Sequence, residues 1–151
     1  MRSWKPNVTV AAVVERDGRF LLVEEETEDG LRFNQPAGHL ERGESLLAAV
    51  AREALEETAH VFRPSFLVGI YQWPRPTGDV TYLRFAFGGE LGGFDPERPL
   101  DVGIVRTVWM TLDELKVTRP RHRSPLILQC CEDYLAGCRY PLELIRHYDV
   151  S

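Results

Sequence analysis

The chain reads as an α/β protein in which a mixed β-sheet lies between helices, and three observations predict this. Short β-rich segments alternate with helical ones along the sequence. Several neighbouring segments are joined by hairpin-length turns. The run VTVAAVV at 8–14 is nearly all apolar, as expected of a strand covered on both faces.

Taken in order, 8–14 is the first strand, and an Asp17-Gly18 turn is expected to fold 20–25 back on it as a hairpin. Glu24, Glu25, Glu26, Glu28 and Asp29 then make an acidic run whose ordinary reading is a solvated loop. Residues 32–35 lead into Pro36-Ala37-Gly38, read as a turn that delivers the chain to a helix with Ser45 as its N-cap. After the helix, 66–73 and 80–90 read as two strands around a turn region at 74–79, and GGELGGFDPERP reads as a loop rich in Gly and Pro. A last strand is expected at 105–110. Thr111 opens a short TLDEL helix with Asp113 and Glu114 in its first turn, and 126–135 carries a longer helix that ends before Gly137.

The most informative stretch is GHLERGESLLAAVAREALEETAH at 38–60. Glu53, Glu56 and Glu57 stand at i, i+3 and i+4, so on a helix Glu56 and Glu57 each fall within roughly 60° of Glu53 and the three can share a cation. Leu47, Ala48, Ala51, Ala54, Leu55 and Thr58 gather on the opposite side and are expected to form the core face. Leu46, Ala49 and Val50 lie among the glutamates, so the acidic side is walled by protein rather than simply wetted. Crowded carboxylates in a partly covered site repel one another, and raised pKa values or bound cations relieve that. A hard divalent ion with oxygen ligands is the economical answer, set against an ordinary solvated helix face.

At these residues the chain resembles the Nudix hydrolases, with Gly38, Glu44, Arg52, Glu53, Glu56 and Glu57 all in register with the family's box. Three positions depart from it: Ala54 and His60 replace aliphatic residues and Ala59 replaces a glycine. Glycine there suits the left-handed turn that ends the helix, and alanine in that conformation costs on the order of 1 kcal/mol. The likeness continues through VTVAAVV, NQPAGHLE, LRF at 83–85, RSPL at 123–126 and RYPLE at 139–143, and is greatest to the bacterial NudJ branch.

The resemblance implies an α/β/α sandwich and a Mg²⁺-dependent phosphohydrolase, with Mn²⁺ as the alternative cation. It makes Glu56 and Glu57 the first metal ligands, Glu53 a third ligand or the base, and the Gly38 carbonyl a further ligand. Arg52 becomes an orienting partner of Glu56. Glu44, off the acidic side of the wheel, has to be presented by the loop before Ser45 if it takes part. The branch implies nucleoside di- and triphosphates and the pyrophosphates of thiamine and hydroxymethylpyrimidine as substrates. The rivals are a hydrolase of nucleotide sugars or dinucleoside polyphosphates, and a binding module, in which one or more box carboxylates would be lost.

Outside the box, Arg84 alternates with Leu83 and Phe85 on a strand, and needs either a substrate phosphate or a structural carboxylate. Phe33, Tyr71 and Trp73 can stack on a pyrimidine or thiazole ring, or be core. Arg121, His122 and Arg123 form a compact basic cluster, either a phosphate clamp or a solvated loop. Glu97 and Asp101 offer an alternative base.

A chain of 151 residues with 44% apolar composition suits one domain. MRSWKP has no apolar region after its charges and no stretch approaches ~18 apolar residues, so a cytoplasmic protein away from membranes is expected. Cys130, Cys131 and Cys138 are odd in number and lack paired Cys-x-x-Cys units, which points to packing rather than disulfides or zinc. A net charge of -5 argues against nucleic acid and leaves a small phosphorylated metabolite or nucleotide as the partner. Monomer and homodimer both fit.

Overall fold

The computed structural model describes residues 3–149, so Met1 and Arg2 of the N-terminal reading lie outside it. The strands are β1 (Asn7–Val13), β2 (Glu15–Arg16), β3 (Arg19–Thr27), β4 (Gly30–Asn34), β5 (Ala37–His39), β6 (His60–Pro74), β7 (Thr81–Phe94) and β8 (Ile104–Thr111). The helices are α1 (Leu46–Thr58), α2 (Leu112–Val117) and α3 (Leu126–Leu135), with 3₁₀ turns at Arg119–Arg121 and Leu142–Leu144.

One sheet runs β5-β1-β7-β6 and is mixed: β1 is parallel to β7 and antiparallel to β5, and β6 is antiparallel to β7. The second sheet is antiparallel and centred on β3. Val23 pairs with both Asn34 and Thr107, and Phe20 with both Glu15 and Met110, so β8 takes one edge of β3 while β2 and β4 share the other.

The strand residues divide between two cores by their period of two. Val10, Ala12, Val14, Leu21 and Phe87 pack with Ala49, Val50 and Ala54 of α1. Val13, Phe20, Leu22 and Ala86 pack with Leu115 of α2 and Ile127, Leu128, Cys130 and Cys131 of α3. Burial on both faces is what the apolar run at 8–14 required, and it makes the α/β/α sandwich. Cys130 and Cys131 do pack on the helix; Cys138 lies beyond it, and all three are free thiols. No helix among the described residues is long and apolar enough to cross a membrane.

Three local readings are corrected. The expected hairpin is confined to β2 and β3, turned by Asp17 and Gly18 at φ 52° and 79°. The strand at 8–14 instead takes a central place between β5 and β7, and the chain changes sheets at Val14, whose carbonyl accepts from the Leu21 N–H at 2.9 Å. Residues 37–39 are a strand, β5, rather than a turn. Gly88–Phe94 continues β7 rather than opening a loop, because the glycines admit a close neighbour: a Cβ at Gly88 would overlap the Phe66 ring.

Candidate active site

Ser45 caps α1, its side chain accepting from the Ala48 N–H at 3.0 Å. At the other end Ala59 takes the left-handed conformation, φ 60°, and its N–H reaches the Leu55 carbonyl at 2.9 Å. The missing box glycine therefore leaves the helix end in place, with the strain carried by alanine.

The buried residues of α1 are Ala49, Val50, Glu53, Ala54, Glu57 and Thr58. This corrects the wheel: Ala48 is exposed, Leu47, Ala51 and Leu55 are half-buried, and the acidic side is the one that faces the sheet. It can do so because the facing strand offers backbone instead of side chain. A Cβ at Gly38 would overlap the carboxyl group of Glu53, and the Ala37 N–H donates to Glu57 Oε1 at 3.0 Å.

Burial raises the pKa of Glu53. Burial also pushes Glu57 up to about 9, with repulsion from Glu53, Glu25 and Asp101 adding to it and the Ala37 N–H opposing it. Glu53, Glu56 and Asp101 bring one carboxylate oxygen each to within 4.8 Å of one another. Asp101, read from sequence only as an alternative base, reaches the trio because its N–H bonds to the Glu56 carbonyl at 2.9 Å. Glu97 stays exposed in the loop. Oxygen donors, excess negative charge and a glycine cradle fit a hard divalent cation.

Arg52 is tied to nearly every part of this cluster. It holds Glu44 through two bonds of 2.8 and 2.9 Å, Glu53 at 2.8 Å, Glu56 at 2.9 Å and the His39 carbonyl at 3.1 Å. Glu44 is indeed a loop residue, separate from the trio; Arg52 and the Glu41 N–H lower its pKa. Its carboxylate thus anchors the guanidinium that orients Glu53 and Glu56.

These groups open on a cleft of about 810 Å³ that Gly38, Glu53 and Glu57 share with Trp73, Tyr82, Arg84 and Arg123. Trp73 lies stacked beside Tyr82, centroids 6.1 Å apart. Arg84 is buried and pairs with no carboxylate among the described residues: it donates to Asn34 Oδ1 at 3.1 Å and Gln35 Oε1 at 2.9 Å, and its Nε has no partner among them. Burial lowers its pKa.

Two of the three aromatic candidates take the core alternative rather than the cleft. Phe33 is 2% exposed in the core beneath the Arg121 guanidinium, because its β4 position faces α2 and α3, and it is closed to a substrate ring. Tyr71 donates to Asp133 Oδ2 at 2.7 Å and packs against the same core. The acidic run is also not a loop at its start. Glu24 is a β3 residue, 5% exposed, paired with Arg106 and Arg121, which lower its pKa; Glu25 pairs with Arg123 at 2.8 Å. Arginines far along the chain, which no local pattern couples to 24–25, neutralise this stretch.

The NUDIX domain model matches residues 4–129. Over 146 residues, 97% of this chain and 94% of the relative, the sequence is 40% identical to phosphatase NudJ of Escherichia coli strain K12. The structure resembles a NUDIX hydrolase from Nitrosomonas europaea with a TM-score of 0.94 and 54% identity, covering 97% of this chain and 100% of that one. It shares its fold with a UDP-X diphosphatase at a TM-score of 0.74 and 20% identity, covering 93% and 68% of the two chains.

Proposed function

Because the chain belongs to the Nudix family of hydrolases acting on phosphoric anhydrides, we propose that it is a Mg²⁺-dependent phosphohydrolase that releases phosphate from a terminal diphosphate. The observation that carries this reading is the meeting of Gly38 and Glu53, which lets buried carboxylates line the cleft where a side chain would otherwise stand.

Glu56, Glu57 and Asp101, with the Gly38 carbonyl, would hold the cation. Bound there, Mg²⁺ or Mn²⁺ supplies neutralisation of phosphoryl charge and acidifies an adjacent water. Glu53 takes a proton from the attacking water as the water oxygen bonds to the terminal phosphorus, the bridging P–O bond breaks, and the leaving group departs with one phosphate fewer, a monophosphate from a diphosphate and a diphosphate from a triphosphate. A carboxyl whose pKa burial has raised suits that role near neutral pH. Arg52 holds the Glu53 and Glu56 carboxylates in place, and Glu44 holds Arg52.

Arg84 and Arg123 bind phosphoryl oxygens, and the Trp73–Tyr82 pair receives a planar leaving group. His39 and Arg84 pair with Thr9 from its two sides, which sets β5 and β7 two strand spacings, roughly 10 Å, apart. A diphosphate ester bridges that span. The substrate class is small phosphorylated metabolites: thiamine pyrophosphate, hydroxymethylpyrimidine pyrophosphate and nucleoside di- and triphosphates. Phosphate release with Mg²⁺ across these compounds, with ADP-ribose as the contrasting substrate, tests the proposal. Cleavage of at least one terminal diphosphate supports it, and tight binding without cleavage of any compound overturns it.

A further inference from the structure

Glu25 lines the cleft from β3, where the pairing with β8 shifts register between Glu24 and Glu25. Such an irregularity re-aims a side chain that a regular strand would place elsewhere. Its side chain is 12% exposed, unlike that of a surface ion pair. One oxygen, Oε1, makes two bonds: an ion pair with Arg123 Nη1 at 2.8 Å and a hydrogen bond accepted from Asn34 Nδ2 at 3.3 Å.

The second of these bonds decides what Arg84 meets. With its amide nitrogen committed to Glu25, Asn34 turns its oxygen to Arg84 at 3.1 Å. Gln35 is set the same way by a different anchor, its Nε2 donating to the Ile127 carbonyl at 2.8 Å while its oxygen accepts from Arg84 at 2.9 Å. A reversed Asn34 amide would point NH₂ at a guanidinium and push it aside. One carboxylate thus holds one arginine directly and a second through an amide, and the pair keeps one positive charge in excess. A buried guanidinium without its own carboxylate calls for an anionic ligand.

We propose that Glu25 is a positioning residue for phosphate, holding Arg123 directly and Arg84 through Asn34 so that the two guanidiniums act as one clamp on the substrate's phosphoryl oxygens. The proposal rests on the hydrolase reading above and adds a residue that sequence alone placed in a solvated loop. The clamp holds phosphate rather than the leaving group, so its loss acts alike on substrates with different leaving groups.

The test uses the Mg²⁺-loaded enzyme with the two diphosphates that it cleaves fastest. Glu25→Ala raises KM about tenfold on both, the scale of one charge-assisted hydrogen bond, while kcat stays within about twofold. Glu25→Gln, which keeps an acceptor for Asn34 and drops the charge facing Arg123, falls between wild type and Glu25→Ala. It also carries the test if Glu25→Ala fails to fold. In the double variant with Arg123→Ala the KM rise is smaller than the product of the single rises, as coupled residues require.

An unchanged KM, a rise on one substrate alone, or strictly multiplicative effects overturns the clamp. A wild-type protein that cleaves no diphosphate removes the proposed function itself, whereas an active wild type with unaltered KM in both Glu25 variants removes only this inference.

Discussion

The backbone of Gly38 and the carboxyl group of Glu53 approach so closely that no side chain fits between them. Strand β5 carries glycine where helix α1 presents a buried glutamate, and a side chain at the first position would displace the second. Gly38 has no positive φ, so alanine is allowed by the backbone and fails only by contact. Gly38→Ala therefore displaces the Glu53 carboxyl group, with kcat reduced by roughly 100-fold or more while the fold persists. Steady-state kinetics beside a circular dichroism melt checks this; near-wild-type turnover would show that the approach is incidental.

Arg52 donates to three carboxylates and a carbonyl through a planar fork. Lysine keeps the charge and loses the fork, so Arg52→Lys is expected to lower kcat by about 10- to 100-fold, with a smaller change in KM. Equal kcat in the two proteins would reduce Arg52 to a charge on the helix.

How far the sequence could be read follows from such contacts. Glu53, Glu56 and Glu57 were legible because helical periodicity brings them together, Arg52 because the family motif adds it to them, and α3 because its apolar pattern stops before a glycine. The buried side of α1 was not, since a wheel assigns apolar residues to the core and has no way to see that Ala37 and Gly38 present backbone to carboxylates. Asp101 was read only as an alternative base and Glu25 was missed, because each is brought to the site by pairing across the chain, to Glu56 and to Arg123 and Asn34. Phe33 illustrates the converse: an aromatic residue on a strand has two faces open to it, and here the core takes it.

The raised pKa values set a pH dependence in the metal-free protein. Glu57 moves from 4.5 to about 9 and Glu53 moves the same way, so the folded state keeps protons that the unfolded chain releases. The stability from this source is complete below pH 4.5 and is lost as pH rises from there through 9. Glu24 and Glu44, with lowered values, act in the opposite sense, their contribution being lost as pH falls below 4.5. Thermal midpoints in EDTA should therefore fall between pH 5 and 9, and saturating Mg²⁺ should remove most of that fall, because deprotonated carboxylates bind the cation. A flat profile in EDTA contradicts the account of these two residues.

Ala59 holds a positive φ at the end of α1. Ala59→Gly relieves the strain and should stabilise the protein by about 0.5–1 kcal/mol, a rise in Tm of roughly 1–4 °C for a chain of this size, with kcat unaltered. A lower Tm would mean that packing of the buried Ala59 methyl outweighs the strain.

Glu57 bears most directly on the claim that these buried carboxylates perform divalent-cation hydrolysis. Glu57→Gln keeps an oxygen for the Ala37 N–H and removes the charge, so folding should be retained or improved in the metal-free protein. The decisive measurement is the rate of phosphate release by Glu57→Gln from the best-cleaved diphosphate at saturating Mg²⁺: a loss of about 100-fold or more is predicted, and a wild-type rate would contradict the account.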